Sequence, residues 1–221
     1  MTSAIFLSAG VPDPKRDPQY AKTADTVAIT AAVSALVYVA LGRRLLVWGG
    51  HPAITPMIWV VADGLGIDYG GWVKLYQSKH FEDEFPEDNQ RFQNITYTDD
   101  VGRDRERSLL MMRERMFTDL DFSAAVFIGG MGGIIDEFEL FQKLQPKAET
   151  LPIVSTGGAT QDVAKRIRAV PIDLIDDLDY VALFHRHLGI SVKEQRYRRP
   201  DEQPADPGDR LWSAGPGIRS R

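Results

Sequence analysis

The sequence predicts an α/β fold, built on a doubly wound, mainly parallel sheet with helices on both faces. Two observations point to it. Short apolar runs rich in β-branched and aromatic residues alternate with longer segments of helical periodicity, the pattern left by successive strand–helix crossovers. The apolar runs are also continuous, as in Ala124-Ala125-Val126-Phe127-Ile128. A strand that is apolar on both faces needs cover on both faces.

In chain order, a first strand is expected at Ala4–Ser8 and a helix over Tyr20–Leu41. The stretch Val27 to Leu41 is apolar enough to suggest a membrane span, but it falls short of the ~20 residues a spanning helix needs. Thr30 and Ser34 also interrupt it. Burial between the sheet and neighbouring helices explains it, and no membrane partner is expected. Further strands fall at Leu45–Trp48, Trp72–Tyr76, Ile95–Tyr97, Ala124–Ile128 and Leu151–Ser155, and helices at Ile54–Leu65, Asp104–Asp119, Gly133–Leu144 and Thr160–Arg168. The run Gln77 to Gln93, acidic and carrying Pro86, reads as an exposed loop suited to a lid. From about Arg196 the chain is rich in Pro, Gly, Arg and Asp and cannot bury enough apolar surface to fold alone. The expected organisation is a single Rossmann-like domain over 1–195 and a flexible polar tail over 196–221.

Composition narrows the functional classes. With 221 residues, 43% of them apolar and 26% charged, the chain is long enough for a full core and ordinary in balance. A formal net charge of −5 gives no general attraction for nucleic acid, which is not expected as a partner. A small anion captured by local backbone dipoles stays open. The absence of cysteine excludes disulfides, thiolate nucleophiles and Cys-based metal sites, and fits a reducing, cytoplasmic location. Ala4-Ile5-Phe6-Leu7 is too short for a signal peptide and follows no basic segment. His185 and His187, two apart, do not share a helical face, so no zinc site is expected there, and no Ser-His-Asp triad is legible.

In open α/β sheets ligands bind beyond the carboxyl ends of the strands, and three glycine-bearing turns follow predicted strands. After the second strand comes Trp48-Gly49-Gly50-His51-Pro52. There the glycines either admit a ligand or simply turn the chain ahead of a helix opened by Pro52, and His51 is a candidate contact. After the most apolar strand comes Gly129-Gly130-Met131-Gly132-Gly133, with four glycines in five positions before a helix. Amides at a helix head form a phosphate site, the alternative being a glycine-rich turn that only packs. No Gly-Lys-Ser/Thr follows, so this is not a P-loop, and the glycine spacing does not make a dinucleotide fingerprint. The third turn, Ser155-Thr156-Gly157-Gly158-Ala159-Thr160, offers the hydroxyl of Thr156 and the amides of Gly157 and Gly158 to a sugar or phosphate, or simply supplies Thr160 as the N-cap of the next helix. Gly10, closing the first strand, joins the ligand-binding candidates.

Two charged groups complete the set. Asp136 and Glu137 follow the second turn, where the helix dipole alone would favour them. A carboxylate beside a bound ribose phosphate would also stabilise the cation that forms when an N-glycosidic bond breaks. Arg103 and Arg113 belong to an arginine-dense helical segment that is either a solvated ion-pair face or a phosphate clamp.

These residues resemble the SLOG superfamily, which includes the "lonely guy" (LOG) phosphoribohydrolases, DNA-processing proteins and nucleotide-sensing domains. The LOG motif Pro-Gly-Gly-x-Gly-Thr-x-x-Glu corresponds to Ile128 through Asp136, with Ile128 in place of proline, Gly133 in place of threonine and Asp136 in place of glutamate, Glu137 following. Leu46-Val47-Trp48-Gly49-Gly50 is similar to the family's second-strand turn, and Arg113 lies at about the distance of its catalytic arginine, with Arg115 as fallback. The similarity spans roughly Ala4 to Ala169. It implies a Rossmann-like fold, a homo-oligomer (dimer or higher) and a small-molecule nucleotide ligand. The LOG reaction it implies hydrolyses a nucleoside 5′-monophosphate to free base and ribose 5-phosphate with no metal or organic cofactor. The alternative it implies is a non-catalytic sensor of a nucleotide-derived signal of the ADP-ribose type.

Overall fold

The computed structural model describes residues 3–85 and 87–212. Six strands form one all-parallel sheet: β1 (Ala4–Gly10), β2 (Leu45–Trp48), β3 (Val73–Ser78), β4 (Ile95–Thr98), β5 (Phe122–Gly129) and β6 (Glu149–Ile153), in the order β4-β3-β2-β1-β5-β6. The chain builds outward from β1 to β4, then crosses back to place β5 and β6 on the other side. That reversal opens a crevice between the carboxyl ends of β1 and β5, where open α/β sheets hold their ligands.

Helices α1 (Pro18–Thr23), α2 (Thr26–Ala40), α3 (Thr55–Gly64), α4 (Tyr69–Trp72), α5 (Arg105–Thr118), α6 (Gly132–Leu144), α7 (Thr160–Arg166), α8 (Asp173–Asp176) and α9 (Tyr180–His187) connect and cover the strands. Alternation along each strand feeds two separate cores. Ile5, Leu7, Leu46 and Val126 pack with α2, α3 and α9 on one face. Phe6, Val47 and Phe127 pack with α5, α6 and α7 on the other. Phe6 anchors the second core, its ring 4.8 Å from Phe117 and 5.6 Å from Phe141. The apolar stretch after Val27 is α2, with Ile29, Val33, Leu36 and Val37 fully buried. Among the described residues no helix is long and apolar enough to cross a membrane.

The structure corrects several expected boundaries. The helix expected over Tyr20–Leu41 is two helices, because the Asp25 carboxylate accepts from Val27 N at 2.9 Å and Ala28 N at 3.0 Å and so starts α2 afresh. The strand expected to reach Ser155 ends at Ile153, where Thr156 Oγ1 donates to the Ile153 carbonyl at 2.6 Å and curls the chain into a 3₁₀ turn. The run 77–93 is exposed over much of its length, as expected, but it is not an irregular loop throughout. Its first two residues complete β3, two 3₁₀ turns follow (Lys79–Glu84 and Glu87–Arg91), and Gln77, Asn89 and Phe92 are buried. Phe92 packs its ring 5.0 Å from Trp48, while Pro86 lies outside the described residues.

The polar segment from Arg196 is held to the body as far as Trp212. Arg196 donates to the Leu41 carbonyl at 2.7 Å, Tyr197 N to Gly42 O at 2.8 Å, and Trp72 Nε1 to Arg198 O at 3.1 Å. These contacts gather around the amino end of β2, the pole opposite the crevice. The remainder of the expected tail, 213–221, lies outside the described residues.

Candidate functional site

The carboxyl ends of β1, β2, β3 and β5 open into a cleft of about 490 Å³, a size typical of small-molecule sites. Ser8 and Gly10 of β1, the Gly49-Gly50-His51 turn, Gln77 of β3 and the turn Gly130–Gly133 line it from the sheet. Phe81 and Phe85 of the segment after β3, with Leu109, Met112 and Arg113 of α5, line it from above.

The glycine turn after β5 divides its amides. Gly129 N donates to Thr156 Oγ1 at 2.9 Å and Gly130 N to Gly10 O at 2.7 Å, so these two point into the protein. The expectation that the Gly130 amide binds phosphate is thereby corrected. Met131, Gly132 and Gly133 differ: among the described residues their N–H groups have no partner, and all three line the cleft. Helix α6 begins here without a side-chain cap, as do α3, α7 and α8, whereas Asp25 caps α2, Asp104 caps α5 and Asp179 caps α9. An uncapped helix head with free amides favours an anion.

Beside that head sits a carboxylate–guanidinium pair. Ser8 Oγ donates to Glu137 Oε2 at 2.6 Å, and Arg113 Nε donates to Glu137 Oε1 at 3.3 Å. Arg113 also donates to the Gly133 carbonyl at 3.1 Å, tying α5 to the first turn of α6. Its side chain is only 10% exposed, and that of Glu137 18%. Asp136, which takes the glutamate's place in the LOG motif, turns outward with 61% of its side chain exposed, 3.6 Å from Arg113 Nη1. Arg115 stands apart, paired with Asp119 on the far part of α5.

His51 reaches in from the second turn. Its Nδ1 accepts from Ala53 N at 3.2 Å, so in the neutral ring the proton sits on Nε2. A Cβ on Gly10 would lie 3.5 Å from that Nε2. Burial, helped by Arg16, lowers the histidine below its ordinary pKa and keeps the ring neutral.

Gly10, Gly49, Gly50, His51, Arg113, Gly130, Met131, Gly132, Gly133 and Glu137 therefore meet in one cleft. The third turn stands behind it. Thr156 is fully buried and bonded to Gly129, Gly158 N donates to Thr23 Oγ1 at 3.3 Å, and Gly157 presses against the Thr23 backbone. Arg103 lies exposed in the turn before α5, at φ 61°, away from the cleft wall. Sequence reasoning missed Ser8 and Gln77. Their signal is a polar residue near the carboxyl end of a buried strand, Ser8 ahead of Ala9 and Gly10 in β1 and Gln77 ahead of Ser78 in β3.

Compared with known families, the chain matches the model of the SLOG cluster3 family over residues 19–188. No curated protein matches it.

Proposed function

Because the chain belongs to the SLOG cluster3 family, and so has the Rossmann-like, nucleotide-binding fold of that superfamily, we propose that it binds a nucleoside 5′-monophosphate or related nucleotide and hydrolyses its N-glycosidic bond. The phosphate rests on the free amides of Met131, Gly132 and Gly133. The ribose lies over Glu137. As the C1′–N bond lengthens, positive charge grows on the sugar and the Glu137 carboxylate stabilises it. A water then adds to C1′, the base leaves with a proton, and ribose 5-phosphate remains. Arg113 positions Glu137 and adds positive charge near the phosphate.

One observation carries this reading: a carboxylate held by Ser8 and Arg113 beside an uncapped helix head. Incubation with a panel of nucleoside monophosphates, following free base, tests it. Wild-type protein releases base, and Glu137→Gln slows release by roughly a hundredfold or more. Asp136→Asn costs far less.

The same pair supports a second reading. Both oxygens of Glu137 are already engaged, which suits a sensor that binds a nucleotide-derived signal and passes it on through oligomerisation. Tight binding with no base released from any nucleotide of the panel selects the sensor.

A further inference from the structure

We infer that Gln77 determines base specificity, donating a hydrogen bond to a carbonyl oxygen of the ligand's base, so that the cleft selects oxopurine over aminopurine nucleotides. This rests on the nucleotide reading of the same cleft.

Gln77 is only 3% exposed, yet it lines the cleft at the carboxyl end of β3. Its Oε1 accepts from Asn89 Nδ2 at 2.7 Å. Its Nε2 has no hydrogen-bond partner among the described residues, and it abuts Gly50, where a Cβ would run into it. Asn89 is itself buried, so the amide is held from behind. The half left over is the N–H half. A donor that reaches the cleft with no protein partner gains a hydrogen bond when a ligand acceptor arrives, and it disfavours a ligand that offers another donor there.

The spacing places a base there. From β5, which leads into the α6 head, to β3 is three strand separations, roughly 14 Å. A nucleotide laid with its phosphate on α6 crosses β1 and β2 and brings its base to Gln77. Phe81 and Met112 supply apolar cover for the ring.

Calorimetric titration of inosine 5′-monophosphate, adenosine 5′-monophosphate and ribose 5-phosphate into wild-type protein, Gln77→Met and Gln77→Glu tests this. Wild-type protein binds the inosine nucleotide roughly tenfold to a hundredfold more tightly than the adenosine one. Gln77→Met, which removes the donor without adding charge, brings the two within about threefold. Gln77→Glu, an acceptor in the same shape, favours the adenosine nucleotide. Ribose 5-phosphate, lacking a base, binds all three proteins. A wild-type preference for the adenosine nucleotide overturns the inference, as does a preference that neither substitution moves while ribose 5-phosphate still binds. If wild-type protein binds none of the three, the nucleotide reading itself falls.

Discussion

The turn from Gly129 to Gly133 and the turn around Gly157 and Gly158 share much. Each follows a buried parallel strand, each leads into a helix, and each holds two glycines at positive φ, 60° and 71° in the first and 68° and 63° in the second. They spend their amides differently. Gly157 N returns to Val154 O at 2.9 Å, Gly158 N goes to Thr23 Oγ1, and Ala159 N reaches across to Gly130 O at 2.9 Å. The second turn is thus a buttress for the first. The first uses Gly129 and Gly130 to lock onto that buttress and onto β1, and leaves Met131 to Gly133 unspent at the α6 head. Glycine here permits close approach in both places. Gly157, Gly158 and Gly129 press on neighbouring backbone and Gly130 on the Ile134 side chain, whereas a Cβ on Gly132 would meet no protein atom within 4 Å.

The largest test of this division is Gly157→Ala. At φ 68° an alanine is strained, and its Cβ would strike the Thr23 carbonyl, a backbone atom that cannot swing away. Left-handed strain and overpacking together cost about 3 kcal/mol or more, a fall of roughly 6–12 °C in melting temperature for a chain this long. Thermal unfolding followed by circular dichroism measures it. A fall under about 2 °C would mean that the buttress gives way easily.

The division also marks how much was readable from residues alone. The sheet was, because continuous apolar strands such as 124–128 admit one environment. The glycine turn after β5 was too, since four glycines in five positions stand out. What escaped is what depends on partners distant in the chain. Nothing local separates Gly157, wedged on Thr23, from Gly132, where an added Cβ meets nothing within 4 Å. Nor does the motif position tell that Glu137 rather than Asp136 turns inward, for that follows from where Ser8 and Arg113 arrive. The break before α2 was missed because Asp25 acts through its cap, which overrides the apolar periodicity on either side.

A smaller effect is expected from His51, on the cleft side of the division. Its pKa is lowered in the fold by burial and by Arg16. The unfolded chain protonates near the ordinary value of 6.5 while the folded ring resists. The unfolded state therefore binds more protons below 6.5, and stability is full above that pH and declines as pH falls toward the folded value. Urea unfolding at about pH 7.5 and about pH 5.5 should show a loss in wild-type protein that shrinks in His51→Gln. An equal loss in both proteins would place the ring in open solvent, at odds with its seat over Gly10.

Gly132→Ala makes the smallest change and the most telling contrast, because the same substitution should have the opposite sign from Gly157→Ala. Gly132 opens α6 without positive φ, and a Cβ there meets open space. Alanine narrows the unfolded ensemble and suits the helix, so the free protein should gain about 0.5 kcal/mol, or roughly 1–2 °C in melting temperature. Gly132 lines the cleft beside the free amides, so the added methyl takes space that an anion would use. The rise in melting temperature on adding ribose 5-phosphate should accordingly be smaller in the variant than in the parent. A free Gly132→Ala protein less stable than its parent would show the α6 head to be packed like the buttress, and would leave the anion without a place.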